Sequence, residues 1–121
     1  MDFKATKGIY LQIAENICNQ ILEGKLKPDE RVPSVRDLAT ELEVNRNTVM
    51  RTYSYLQAEE IFENKRGVGF FVASNAIALI KDRDKNAFFK NEFPVLLEKI
   101  KLLKLTTKDF KQIIEALKLN D

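Results

Sequence analysis

The 121-residue sequence has no histidine, no tryptophan and only one cysteine, Cys18. Without histidine it cannot build a serine–histidine or cysteine–histidine nucleophile, and with one cysteine it also lacks the usual ligands of a zinc site. A lone cysteine cannot form an internal disulfide, which fits a reducing compartment, so we expect a cytoplasmic protein. We predict no enzyme activity, no metal site and no cofactor.

The sequence also lacks a long apolar run and a charged-then-apolar leader, so we expect no membrane segment. No repeat or low-complexity stretch is present. Hydrophobic residues make up 45% and charged residues 31%, which is enough to build a core and a charged surface. The length fits one domain, or a small domain with an appendage.

An excess of either charge is missing as well. The net charge is +2, with ten basic and eleven acidic residues in 1–74 and ten basic and seven acidic residues in 75–121. This balance alone does not indicate a polyanionic partner. If the first part binds nucleic acid, the placement of its charges must matter more than their total.

The apolar residues that are present indicate a first helix over about residues 8–23. Isoleucine recurs at every fourth position and forms one helical face, at Ile9, Ile13, Ile17 and Ile21. Gly24 then acts as a stop signal. Cys18 falls beside this face, where we expect it to be a small core residue.

Two more helices follow with a tight turn between them. Ser34 is a typical N-cap, and Asp37 stands three residues later as in a capping box. Asn45 provides the next N-cap, which predicts a third helix from about Arg46 to Glu59. Its inner face contains Val49, Thr52, Tyr53 and Leu56. Its outer face has no acid before Glu59 and contains Asn47, Arg51 and Ser54.

The hydrophobic period then changes from helical to extended. Residues 61–64 and 70–73 are short β-prone runs, separated by the basic, glycine-bearing segment Lys65–Gly69. These features predict a β-hairpin. Residues 1–74 therefore read as helix, helix, tight turn, helix and hairpin.

Residues 75–121 return to a helical pattern. Pro94 predicts a kink or a break near residues 91–93. Thr106 and Asp109 form a cap for a last helix, which we expect to bury Phe110, Ile113, Ile114 and Leu117. The predicted fold is mainly α with a small β-hairpin: a winged helix-turn-helix domain over 1–74 and a short helical dimerisation segment over 75–121.

Two short helices joined by a tight turn, with a basic outer face on the second, are typical of a helix-turn-helix DNA reader. Arg46 lies on the first turn of the presumed reading helix, where long side chains and free N–H groups can reach phosphates and base edges. Asn47 can pair with adenine, and the hydroxyls of Ser34 and Thr48 suit phosphate oxygens. A basic hairpin tip around Gly67 would enter the minor groove as a wing.

The order and spacing of these blocks resemble the winged-helix domain of GntR-type bacterial transcription regulators. The matching blocks are Ile9–Ile13, Gly24–Pro28, Val32–Ala39, Val44–Val49, Leu56 and Gly67–Val72. The resemblance implies DNA contacts at Arg36, Arg46, Thr48 and the Gly67 tip, with Ser34 and Asn45 near the phosphates. The short helical C-terminal segment resembles the YtrA subgroup, in which this segment pairs two subunits.

Four positions depart from the family pattern. Asp29, Glu43 and Glu60 replace glycines common at turns, and a side chain in a left-handed turn adds strain, so the turn geometry could shift there. Met50 stands where some relatives carry a base-reading arginine, so the operator sequence is not determined.

Several residues have alternative interpretations. Arg51 could contact DNA or form a surface ion pair, and Tyr53 fits the core better than a base-stacking role. The phenylalanines at 88, 89 and 93 could line a small-molecule pocket or a subunit interface. We favour the interface, because 47 residues are too few to enclose a sizeable pocket.

The sequence thus predicts a homodimeric bacterial transcription repressor that binds a double-stranded, inverted-repeat operator. The predicted DNA-binding residues are Ser34, Arg36, Asn45, Arg46, Asn47, Thr48, Arg51, Arg66, Gly67 and Gly69. The predicted dimerisation residues are Phe88, Phe89, Phe93, Leu96, Leu97, Ile100 and Leu103. An unidentified small-molecule effector could act through a thin linker at 73–76. The alternative is a winged-helix module that binds proteins and not DNA.

Overall fold

The structure, a computed structural model, describes residues 8–121. Its elements are α1 (Ile9–Leu22), α2 (Val35–Leu42), α3 (Arg46–Ala58), β1 (Phe62–Lys65), β2 (Gly69–Val72), α4 (Ala76–Ala87), a π-helical turn (Phe88–Glu92), α5 (Phe93–Leu103) and α6 (Lys111–Leu119). The fold is mainly α-helical with one antiparallel hairpin, as predicted. The chain forms two compact units, of which the first ends at Arg83 and the second is Asp84–Asp121.

The apolar face of α1 is shorter than predicted. Ile17 and Ile21 are buried, but Ile9 is 58% exposed, so the first turn contributes little to the core. Gly24 ends the helix as expected. Its φ of 81° lies in the left-handed region, and the N–H of Lys25 just beyond it donates to the carbonyl of Gln20 at 2.9 Å.

The predicted N-caps of α2 and α3 are both formed. Ser34 Oγ accepts the Asp37 N–H at 3.0 Å, and Asn45 Oδ1 accepts the Asn47 N–H at 2.8 Å. Each cap satisfies a donor that the first turn of a helix leaves without an intrahelical partner. Glu43, with φ of 55°, turns the chain between the two helices.

Tyr53 lies at the centre of the first unit and is fully buried, which confirms its interpretation as a core residue. Its ring centroid is 5.1 Å from that of Phe62 and 5.2 Å from that of Phe70. Its hydroxyl donates to the carbonyl of Pro33 at 2.7 Å. The side chain therefore joins α3 to the hairpin and to the loop before α2.

The hairpin pairs Phe62 with Val72 at its base and Lys65 with Gly69 at its tip. The first strand lies one residue later than predicted, and the second strand lies one residue earlier. A third extended segment, which the sequence did not predict, lines the edge of β2. Arg31 is bridged to Phe71, the Val32 N–H donates to Phe70 O, and the Val72 N–H donates to Glu30 O, both at 2.9 Å. The wing thus has three strand-like segments at its root.

The expectation of a thin linker at 73–76 is wrong. Ala73 and Ala76 are buried, and Ile80 on α4 lies in the same core as α1 and α3. Further along α4, the guanidinium of Arg83 lies 3.5 Å from the Sγ of the buried Cys18 and 3.7 Å from a carboxylate oxygen of Glu59. The first compact unit therefore extends beyond Ser74, where the sequence placed a functional boundary. That boundary stays a prediction.

In the second unit, the irregularity expected near Pro94 is a widened helical turn. Phe88–Glu92 is π-helical, and the Phe93 N–H donates back to the carbonyl of Phe88. Proline lacks an N–H and its ring clashes with the carbonyl four residues earlier in an α-helix, so a wider turn just before it relieves the clash. The helix changes its pitch and does not break.

Thr106 and Asp109 form the predicted cap, since Asp109 Oδ2 accepts the Thr106 N–H at 2.9 Å. Helix α6, however, begins only at Lys111. The prediction that its apolar side chains are buried is wrong for this single chain: Phe110 is half-buried, and Ile113, Ile114 and Leu117 are exposed. The last helix thus presents an apolar face to its surroundings.

Candidate nucleic-acid interface

The outer face of α3 is open and free of acids at its start. Arg46, Asn47 and Arg51 are exposed and Thr48 is half-buried, and the first turn contains no acidic residue. Arg46 forms no ion pair with any residue of 8–121. A positively polarised helix end with an unneutralised arginine attracts phosphate oxygens.

Arg51 contacts an aromatic ring, and it forms no ion pair with another residue of 8–121. Its guanidinium carbon lies 4.0 Å from the centroid of the Tyr10 ring. The backbone of Tyr10 is fixed in turn, because its carbonyl accepts the Thr52 hydroxyl at 2.8 Å. The contact answers the question of an ion pair at Arg51: the cation is positioned over a π face, with its charge still available to an anion.

Helix α2 presents a second set of predicted contact residues. Ser34 and Arg36 are exposed at its N-terminus. Ser34 Oγ accepts a backbone N–H, yet its own hydroxyl hydrogen can donate to a phosphate. Asn45 is likewise engaged through Oδ1, which leaves its amide nitrogen as the group suited to an external acceptor.

At the wing tip, Arg66, Gly67 and Val68 are all exposed. Gly67 has φ of 79°, and nothing lies within 4 Å of where its Cβ would be. Glycine is therefore favoured there by backbone conformation, and the open space above it permits a close approach of another molecule. Gly69 differs, because a Cβ there would lie 3.0 Å from Nε of Arg31.

The predicted DNA-binding residues fall into three groups, at α3, at α2 and on the hairpin. Residues 46–48 and 51 lie on α3, which Asn45 caps, and residue 36 lies on α2, which Ser34 caps. Residues 66, 67 and 69 belong to the hairpin. Among the predicted dimerisation residues, Phe88, Phe89 and Phe93 form one cluster with centroids 5.2–6.3 Å apart. Leu97 and Leu103 are exposed, and Leu96 and Ile100 are half-buried.

Sequence reasoning missed two residues of this region, Tyr10 and Arg31. Tyr10 lies within the matching block Ile9–Ile13, where the sequence assigns it no role, although its ring supports Arg51. Arg31 was not selected, although its side chain lies on the wing. Both contacts join residues far apart in the chain, so no local pattern announces them.

The described residues contain no candidate membrane span and no candidate metal-ligand cluster. None of the helices in residues 8–121 combines the length and apolarity that crossing a bilayer requires. Within the same range, no three side chains of the cysteine, aspartate or glutamate type are grouped as metal ligands.

The three-helix core, the paired caps and the glycine-tipped hairpin define a winged helix-turn-helix protein. Residues 9–72 match the family model described as bacterial regulatory proteins, gntR family. The protein belongs to the GntR family of transcription regulators.

Two curated relatives from Bacillus subtilis illustrate the relationship. The chain is 41% identical over 83 residues to the HTH-type transcriptional regulator YhcF, which covers 69% of each chain. It is 40% identical over 76 residues to the HTH-type transcriptional repressor YtrA, covering 63% of this chain and 58% of the repressor. The matched region thus spans between about half and two thirds of these relatives.

Solved structures extend the comparison to the fold. A GntR-family transcriptional regulator from Bacteroides thetaiotaomicron superposes with a TM-score of 0.74 at 42% identity, covering 94% of this chain and 100% of that one. The AraR DBD in complex with operator ORX1 gives a TM-score of 0.53 at 30% identity, covering 55% of this chain and 81% of that one. The fold of the first unit is therefore similar to one that occurs in a complex with operator DNA.

Proposed function

We propose that the protein is a cytoplasmic, homodimeric repressor that binds an inverted-repeat operator and occludes a promoter. The observation that carries the proposal is the exposed, acid-free first turn of α3, capped by Asn45 and bearing Arg46. The operator complex of the similar AraR DBD and the repressor name of the similar YtrA support it.

Within this proposal the predicted contact residues have different roles. Arg46 and Asn47 read base edges from the start of α3, because arginine pairs with guanine and asparagine with adenine in the major groove. Phosphates are held by five residues: Ser34, Arg36, Asn45, Thr48 and Arg51. The wing that enters the minor groove is formed by Arg66, Gly67 and Gly69.

Pairing of two chains follows from the exposed apolar surface of the second unit. Phe89 is 54% and Leu103 67% exposed in the single chain, and a two-fold partner with the same face would cover both. Two heads related by a two-fold axis recognise half-sites about one helical turn, or a multiple of it, apart. An effector that altered the spacing of the heads would then change operator affinity.

The test is selection of bound sequences from a random double-stranded DNA pool by the full-length protein. We expect an enriched palindrome, on which Arg46→Ala lowers specific binding by about 1–3 kcal/mol if Arg46 reads a base. Gln57→Ala, in the last turn of the same helix and also exposed, is the matched control and should bind as the parent does.

Two results would contradict the proposal. A folded parent protein that enriches no sequence over bulk DNA at modest ionic strength would remove operator binding, and would favour a module that binds proteins. Unchanged affinity of Arg46→Ala on the selected site would remove Arg46 from the interface while leaving DNA binding intact.

A further inference from the structure

The outer face of the wing root carries a cation that the operator-binding residues above do not include. The guanidinium of Arg31 lies over the backbone of Gly69, so that a Cβ at Gly69 would be 3.0 Å from Nε and 3.3 Å from Nη2 of Arg31. Gly69 also has φ of 140°. This glycine therefore gives both the backbone conformation and the space that the Arg31 side chain occupies.

The strand register places Arg31 next to two other cationic positions. Lys65 is the direct partner of Gly69 across the hairpin, and its Nζ lies 4.2 Å from the centroid of the Phe71 ring. Arg31 is itself bridged to Phe71 from the other side, and Arg66 follows Lys65 at the tip. Arg31, Lys65 and Arg66, here called the wing-root cations, thus come from two segments far apart in sequence.

Two of these cations, Arg31 and Lys65, lie on the side of the sheet that does not face the core. Side chains alternate along a strand, so Phe62 and Phe70, which contact Tyr53, point inward, whereas Lys65 and Phe71 point outward. All three wing-root cations are exposed, and within residues 8–121 none of them forms an ion pair. No carboxylate of the described residues therefore neutralises their charge.

A hairpin that enters a minor groove tip first has one phosphate strand on each side of it, since the groove is only about 6 Å wide. The inner side of the wing faces its own helical core. In such a complex the outer side would face the phosphate strand on the far side of the groove from the helical core. The Arg31 guanidinium packs against the Gly69 backbone, so it can bind a phosphate with little further loss of side-chain entropy.

We infer that Arg31 is a DNA-binding residue that clamps the phosphate backbone on the outer side of the wing, and that Gly69 positions it. The inference rests on the proposed operator binding. It assigns Arg31 to affinity and not to base reading, because phosphate contacts carry no direct sequence information.

The test compares the salt dependence of binding for the full-length parent, Arg31→Gln, Arg31→Lys and Lys25→Gln on one selected operator and on one unrelated duplex. For each head, loss of one phosphate contact reduces the magnitude of the slope of log K against log salt by about 0.9. This reduction corresponds to a loss of affinity on the order of fivefold at 0.15 M salt. We expect this loss for Arg31→Gln on both duplexes alike. Arg31→Lys should keep most of the slope, because it keeps the charge.

Lys25→Gln is the matched control, since it removes one positive charge from an exposed side chain that already pairs with Glu23 at 3.2 Å. Its slope should equal that of the parent. Thermal unfolding of each variant separates loss of folding from loss of contact. A parental slope for Arg31→Gln overturns the inference while leaving operator binding intact, whereas a parent that binds neither duplex overturns the proposed function itself.

Discussion

At the scale of the residue, the buried hydroxyl of Tyr53 links α3 to the loop before α2. Tyr53 donates to the Pro33 carbonyl from a fully buried ring, and Pro33 immediately precedes the Ser34 cap of α2. Burial, and to a lesser degree the negative charge of Glu41, raises the pKa of Tyr53 far above its usual value of 10.0. The phenol is therefore locked in its neutral, hydrogen-bonding form.

This raised pKa has a direct consequence for stability. The unfolded chain ionises Tyr53 near pH 10.0 whereas the folded chain does not, so the contribution of Tyr53 is complete below that pH and is lost as the pH rises above it. We predict that Tyr53→Phe lowers the free energy of unfolding by about 1–2 kcal/mol at pH 7, because it leaves the Pro33 carbonyl unsatisfied. The difference from the parent should narrow above pH 10.

Urea unfolding of parent and variant at several pH values between 7 and 11 measures that difference directly. Taking the difference removes the effects of lysine titration, which both proteins share. A gap of constant size across this range would show that the ionisation of Tyr53 is not linked to folding.

At the scale of elements, three turns have a left-handed conformation without glycine. Asp29, Glu43 and Glu60, which replace common glycines, have φ of 67°, 55° and 63°. These values lie in the region that glycine adopts most readily. The chain instead places side chains in a left-handed conformation, which costs roughly 1–2 kcal/mol per residue for an ordinary L-residue.

We therefore predict that Glu60→Gly stabilises the protein by about 1 kcal/mol, because it removes this strain at an exposed turn. The control is Gln57→Gly, three residues earlier and inside α3. There the same replacement should destabilise by about 1 kcal/mol, because glycine is a poor helix former. Chemical denaturation of both variants gives the two signs, and a destabilised Glu60→Gly would mean that this turn carries no strain.

The sequence predicted those elements whose signals are local. Caps at Ser34 and Asn45 and the inner face of α3 depend on residues within a few positions of one another, and all were confirmed. The third segment of the wing and the burial of Ile80 depend on distant residues, so periodicity could not reveal them. The same reason explains why Arg46 was a candidate from the outset and Arg31 was not.

At the scale of the whole molecule, the second unit is too apolar at its surface for a chain that acts alone. Phe88, Phe89, Leu97 and Leu103 are all exposed large apolar residues, and contiguous exposed apolar patches usually mark interaction sites. Among them, Phe89 makes ring contacts to Phe88 and Phe93 at 5.2 and 5.3 Å. It is thus the central member of the phenylalanine cluster.

We predict that Phe89→Asp converts the proposed homodimer to a monomer, because a carboxylate at a covered apolar contact would lose its hydration. Val68→Asp is the control, since Val68 is 51% exposed, close to the 54% of Phe89, but lies at the wing tip. Sedimentation velocity distinguishes the two states. A dimeric Phe89→Asp protein would exclude this cluster from the subunit interface.

The burial of Ala76 and Ile80 determines where this head could be joined to a foreign sensor. A fusion joined directly after Ser74 would remove these two fully buried side chains. It would leave a cavity and exposed apolar surface on the winged-helix unit. A fusion joined after Arg83 would keep Ala76 and Ile80 in the core. A conformational change in the fused sensor would then reach the winged-helix unit through helix α4 and not through a flexible linker.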